Sequence, residues 1–126
     1  MLYLRSKYSA TKFLTKIKSK DLYNWEDKGL IIEPNFEDST SPLYSKAIGE
    51  RPHIIYNKET KKYVCWLKTW INEIGTYTVL TADNILGPYT ITTKGIKPLD
   101  MVGGSDFDLC VAEDGKAYIY YSRIWS

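Results

Sequence analysis

Residues 104–122, GSDFDLCVAEDGKAYIYYS, read as two strands folded about a tight turn. Residues 107–113 lead into Asp114-Gly115, a dipeptide that favours a two-strand hairpin, and a tyrosine-rich strand returns. The same pattern occurs earlier in the chain. IIYNKETKKYVCW, residues 54–66, aligns with LCVAEDGKAYIYY, residues 109–121. Each is an apolar strand, a polar turn with lysine, and a tyrosine opening a second apolar strand, with Tyr63 and Tyr118 in matching places. Asp106 and Asp108 stand at the start of the later hairpin, where apolar residues would be expected.

A longer repeat contains the short one. Residues 3–25 match residues 63–89, each running from tyrosine through two strands to Asp21 or Asp83, then to an aromatic residue after a turn. The steps from Tyr3 to Tyr63 to Tyr118 approach one four-stranded propeller blade of about 40–50 residues plus a loop. Repetition on this scale predicts an all-β chain, a partial β-propeller of four-stranded antiparallel blades. Residues 1–36 are expected to end one blade, residues 50–98 to form a complete one, and residues 104–126 to start a third.

The remaining strands follow from short runs of tyrosine, tryptophan, threonine, valine and isoleucine. MLYLRSK and KFLTKIKS form an adjacent pair; PHIIYN, KYVCWLKTW, GTYTVLTAD and YTITT follow in order. SKDLYNWEDKGL reads as a loop leading to the strand LIIE, and residues 34–50 as a long loop rich in turn formers. The inner packing of the hairpins predicts burial of Val64, Trp66, Val79 and Ile119. Cys65 and Cys110 both fall inside strands, where a free thiol behaves as a small hydrophobe.

The chain has 126 residues, 17 Lys and Arg, 15 Asp and Glu, and a net charge of +2. That balance gives no electrostatic footprint for nucleic acid. No apolar run reaches the roughly 20 residues of a membrane span. The charged start, MLYLRSKYSATKFLTK, does not read as a signal peptide. Lys16, Lys18 and Lys20 alternate, which marks the wet face of a strand. A single histidine, His53, offers no metal set, so no metal and no cofactor are expected, and a packing role suits it best.

In a propeller the first strand of each blade lines a central channel, and residues at one end of those strands ring its mouth. Glu50 precedes PHIIYN, and Asp106 precedes FDLCVAE. Two carboxylates at equivalent positions would converge on one funnel and repel, which prepares an acid for cleaving sugars. The competing reading leaves Asp106 capping a turn after Gly103-Gly104, with Glu50 paired to Arg51 at the surface. Trp66 and Trp70 share a strand face; Trp66 suits packing between blades, while Trp70 suits either packing or a sugar ring. Asp21, Asp83 and Asp114 read as turn residues.

Four stretches together, SKDLYNW, ERPHIIYNKETKKYVCW, TADNILGPYT and SDFDLCVAEDGKAYIYYS, resemble glycoside hydrolase family 43 in its galactan β-1,3-galactosidase-like branch. The resemblance implies a five-bladed propeller, of which the chain looks like a piece covering blades one to three. It implies hydrolysis of a glycosidic bond in a galactose-containing glycan, with a carbohydrate-binding or assembly module without catalysis as the alternative. By the same resemblance Asp106 takes the place of an aspartate that tunes the general acid and helps hold the sugar. Glu50 takes that of a glutamate at the substrate pocket, and Arg51 and Trp70 become substrate-binding candidates. Ser105 departs from the arginine expected there. The general base and acid of the family are expected before Met1 and beyond Ser126, so the isolated chain should release little sugar. The expected partner is an oligo- or polysaccharide, with no nucleic acid or membrane and with self-association through blade edges. The expected location is secreted or periplasmic.

Overall fold

The computed structural model describes residues 2–6, 14–71, 74–98 and 106–122. Nine strands form three antiparallel sheets and no α-helix is present among the described residues. β1 (Leu2–Ser6), β2 (Leu14–Lys18) and β3 (Glu26–Leu30) make a three-stranded sheet in chain order. β4 (Ile48–Asn57), β5 (Lys62–Ile71), β6 (Ile74–Ala82) and β7 (Thr90–Ile96) make the four-stranded sheet, and β8 (Phe107–Val111) pairs with β9 (Ala117–Tyr121). Each strand pairs with its chain neighbour, and β4 lies against β8, the first strand of the next sheet. That is the meander of a propeller blade with neighbouring first strands inward.

β5 is the middle of the best-formed sheet and shows why it is stable. Cys65, Leu67 and Thr69 alternate on one face and pair across with Leu80, Thr78 and Thr76 of β6. All six are buried. Ile31, Ile32 and Tyr89 close this layer, with Leu43, Ile54 and Tyr63 packed at its rim. The buried threonines satisfy one another: Thr69 Oγ1 lies 2.9 Å from Thr78 Oγ1. Such pairing removes the penalty for burying a hydroxyl.

The other face of β5 carries Val64, Trp66, Lys68 and Trp70, and here expectation and structure part. Val64, Trp66, Val79 and Ile119 are half-buried, because the closed core lies on the opposite side of the sheet. Contact on this side runs through rings. Tyr77 packs 6.1 Å from Trp66 and edge-on, 4.9 Å, to Phe107 at the start of β8.

Three further expectations are corrected. β3 is the polar run EDKGL within the expected loop, while Ile31 and Ile32 belong to the core outside any strand. Lys18 and Lys20 are exposed, but Lys16 is half-buried; its ammonium donates to the carbonyls of Leu30, 3.1 Å away, and Leu86, 2.8 Å away, tying the first two sheets together. Cys110 is exposed, and only Cys65 is buried. The turn before β7 needs its glycine: Gly87 has φ 81°, and a Cβ there would meet the Ile31 carbonyl oxygen at 3.0 Å.

Candidate functional site

β4 enters the site through a defect. Its pairing with β5 slips between Glu50 and His53, and Arg51 within that bulge has φ 51°. Bulges redirect side chains, and positive φ in a non-glycine residue is uncommon. Glu50 itself pairs directly across to Lys68, which pairs onward to Tyr77, so the three stand in a row across the blade.

Asp106 arrives from the next sheet at the same end. Its Oδ1 lies 2.7 Å from Arg51 Nε and 3.8 Å from Lys68 Nζ. Glu50 Oε2 lies 3.9 Å from the same ammonium and accepts a long hydrogen bond, 3.4 Å, from the indole Nε1 of Trp70. The ammonium also stands 5.0 Å from the centre of the Trp70 ring. The sequence-predicted residues Glu50, Arg51, Trp70 and Asp106 are therefore all brought together.

The electrostatics differ from the expected repulsion between bare carboxylates. Arg51 pairs with Asp106, and Lys68 stands within ion-pair range of both acids. Its side chain is 9% exposed, whereas Arg51 and Asp106 are 55% and 56% exposed. Arg51, paired with Glu50 in the competing reading, holds Asp106 across the sheets in an exposed pair. Sequence reasoning passed over Lys68, although its place between Trp66 and Trp70 on one strand face was visible.

Asp108 has a different partner. Its Oδ1 lies 3.1 Å from His53 Nδ1, and the His53 ring packs 4.9 Å from Phe107. His53 thus combines the expected packing role with a polar tie to β8. Ser105 and the Gly103-Gly104 turn lie outside the described residues.

The turn aspartates divide. Asp21 accepts from the backbone N–H groups of Tyr23 and Asn24, and Asp114 from that of Lys116. Asp83 pairs with Lys62, while Asn84 caps the adjoining turn through Leu86 N–H.

A surface with two half-exposed carboxylates, a guanidinium and an indole can accept and donate hydrogen bonds while offering a flat apolar face. These are the contacts a sugar ring requires. Among the described residues no three His, Cys, Asp or Glu side chains group to hold a metal.

The chain matches no protein-family model and no curated protein. Solved structures do match. A glycoside hydrolase family 43 β-1,3-galactosidase is 31% identical with a TM-score of 0.80, over 96% of this chain and 26% of that one. An exo-β-1,3-galactanase from Phanerochaete chrysosporium, solved with galactose, is 26% identical with a TM-score of 0.81, over 95% of this chain and 29% of that one. A second family 43 β-1,3-galactosidase, solved with galactodeoxynojirimycin, is 25% identical with a TM-score of 0.74, over 90% of this chain and 46% of that one. The chain thus spans between 26% and 46% of the length of these proteins. Its likeness to glycoside hydrolase family 43, in the β-1,3-galactosidase branch, covers nearly every residue it has, and its fold is part of the five-bladed propeller of that family.

Proposed function

We propose that this chain, which has the family 43 β-1,3-galactosidase fold, supplies the sugar-holding part of a galactosidase site. The carrying observation is the convergence of Glu50, Arg51, Trp70 and Asp106 at one end of adjoining inner strands. In this reading sugar hydroxyls donate to the carboxylates of Glu50 and Asp106. Arg51 donates to a sugar oxygen, and the Trp70 indole faces the ring. The favoured substrate class is a galactose-terminated β-1,3-linked glycan, in keeping with the galactose and galactodeoxynojirimycin named with two similar structures.

The reaction proposed for the working protein is hydrolysis of that glycosidic bond with inversion. An acid protonates the leaving oxygen while water attacks the opposite face. Fixing the ring against two carboxylates lowers the entropy cost of that encounter. The same reading places the working protein outside the cytoplasm. A non-catalytic carbohydrate-binding role uses the same contacts, and sugar release separates the two.

The test is an NMR titration of the purified chain with β-1,3-galactobiose, with xylobiose as control. Galactobiose is expected to move the signals of Glu50, Trp70 and Asp106. Glu50→Gln and Asp106→Asn are each expected to weaken binding about tenfold or more, the usual cost of losing a hydrogen bond to a charged group. Equal response to both sugars, or none at these residues, would overturn the proposal. Release of reducing sugar that Asp106→Ala abolishes would assign catalysis; binding without release would assign the module.

A further inference from the structure

Resting on that reading, we propose that Lys68 is the positioning residue of the sugar site: its ammonium, held between Glu50 and Asp106, sets the spacing of the two carboxylates that grip the ring. Lys68 lies within ion-pair range of both acids, at 3.9 Å from Glu50 Oε2 and 3.8 Å from Asp106 Oδ1. The two acids come from different sheets, Glu50 from β4 and Asp106 from the residue before β8. A cation in range of both adds to the Arg51–Asp106 and His53–Asp108 pairs that join the two inner strands.

Burial makes that coupling stiff. An ammonium 9% exposed needs close anions, because an unpaired buried charge is costly. The same burial limits the motion of the lysine stem, since Tyr77 stands beside it across the sheet and is itself 1% exposed. Trp70 adds a third constraint. Its indole N–H donates to Glu50 Oε2 and its ring lies 5.0 Å from the ammonium. Glu50, Lys68 and Trp70 therefore constrain one another, so displacing the lysine also loosens the indole that would meet the sugar.

Lys68 acts through other groups. Its substitution therefore changes sugar affinity in a way that depends on the carboxylates. In the full chain, Lys68→Met is expected to weaken β-1,3-galactobiose binding about tenfold or more, as breaking a shared buried pair does. Lys68→Arg keeps the charge and is expected to recover most of that loss. Combined with Glu50→Gln, Lys68→Met is expected to add little, because one of the two groups it positions is already uncharged.

Circular dichroism and amide dispersion report whether each variant folds. A second measurement needs no variant: in the wild-type chain, the Lys68 Cε signal is expected to shift on galactobiose addition together with the Glu50 and Asp106 carboxyl signals. Wild-type binding with an unmoved Lys68 signal, or a folded Lys68→Met chain that binds as wild type, would overturn the inference and leave the sugar site standing. Failure of the wild-type chain to bind galactobiose would instead remove the sugar site, and the inference with it.

Discussion

Arg51 and Asp106 form an ion pair 2.7 Å long between two different sheets, although each side chain is more than half exposed. Arg51 reaches across because the bulge after Glu50 turns its backbone to φ 51°. A regular strand would alternate Arg51 to the other face of the sheet from its neighbours. The pair therefore depends on the bulge.

Its energetic weight follows from exposure. Solvent screens a pair this open, so Arg51→Ala is expected to change unfolding free energy by no more than about 1 kcal/mol. Its effect on sugar affinity is expected to be larger, since both partners line the site. Urea unfolding and galactobiose titration of the same variant check the split. A loss of stability with unchanged affinity would make the pair a structural tie only.

The fully buried layer should behave oppositely. Leu80 is 0% exposed and pairs with Cys65 at the centre of the four-stranded sheet. Leu80→Ala removes three carbons' worth of packing from a closed site and is expected to cost about 2–5 kcal/mol. Urea denaturation with an unchanged slope is the check. A cost below about 0.5 kcal/mol would mean the layer is loosely packed and the core is elsewhere.

Much of this arrangement was legible in the sequence because strand chemistry is local. Aromatic and β-branched runs bounded by turn formers marked eight of the nine strands near their observed places. β3 escaped because EDKGL is polar and almost wholly exposed, so no apolar alternation announces it. Ile31 and Ile32 drew the expected strand toward themselves, yet their burial comes from packing on β5 and β6. The candidate site was half legible. Glu50 and Asp106 each stand just before an apolar strand run in the sequence, but Lys68 carries no such mark, since a lysine in a strand ordinarily marks water. It is buried beside Tyr77 of the next strand and within ion-pair range of Asp106, which comes from a distant part of the chain. Cys110 shows the same limit: it sits in a strand as expected, on a hairpin face that is left open.

The two thiols should react very differently. Burial pushes the Cys65 thiol up to about 12, so it carries almost no thiolate at neutral pH. Cys110 is exposed. Iodoacetamide at neutral pH is expected to label one thiol in the folded chain, at Cys110, and two in denaturant. Peptide mapping identifies the site. Modification of Cys65 at a comparable rate in native buffer would show that the β5–β6 layer opens readily.

The acid response should centre on the loop that precedes β3. Asp21 is held well below the ordinary carboxylate range, first by the backbone N–H of Asn24, then by the Asn24 side-chain amide, then by the backbone N–H of Tyr23. The hydroxyl of Ser19 donates to the same carboxylate and accepts from the Leu22 N–H. Because the folded carboxyl is depressed, its contribution is present above the unfolded value of about 3.9 and is lost as pH falls through the lower folded value. Asp21→Asn cannot accept as a carboxylate does, so the variant should be less stable at neutral pH and lose less on acidification. Trp25 reports on the loop, since its indole N–H donates to the Leu22 carbonyl at 3.1 Å. Its fluorescence, followed in urea from neutral pH to about pH 2, gives the difference between wild type and variant as a function of pH. That difference should be flat above the unfolded value and shrink below it. A difference that grows as pH falls would reverse the sign and show that Asp21 is not the loop's acid-sensitive group.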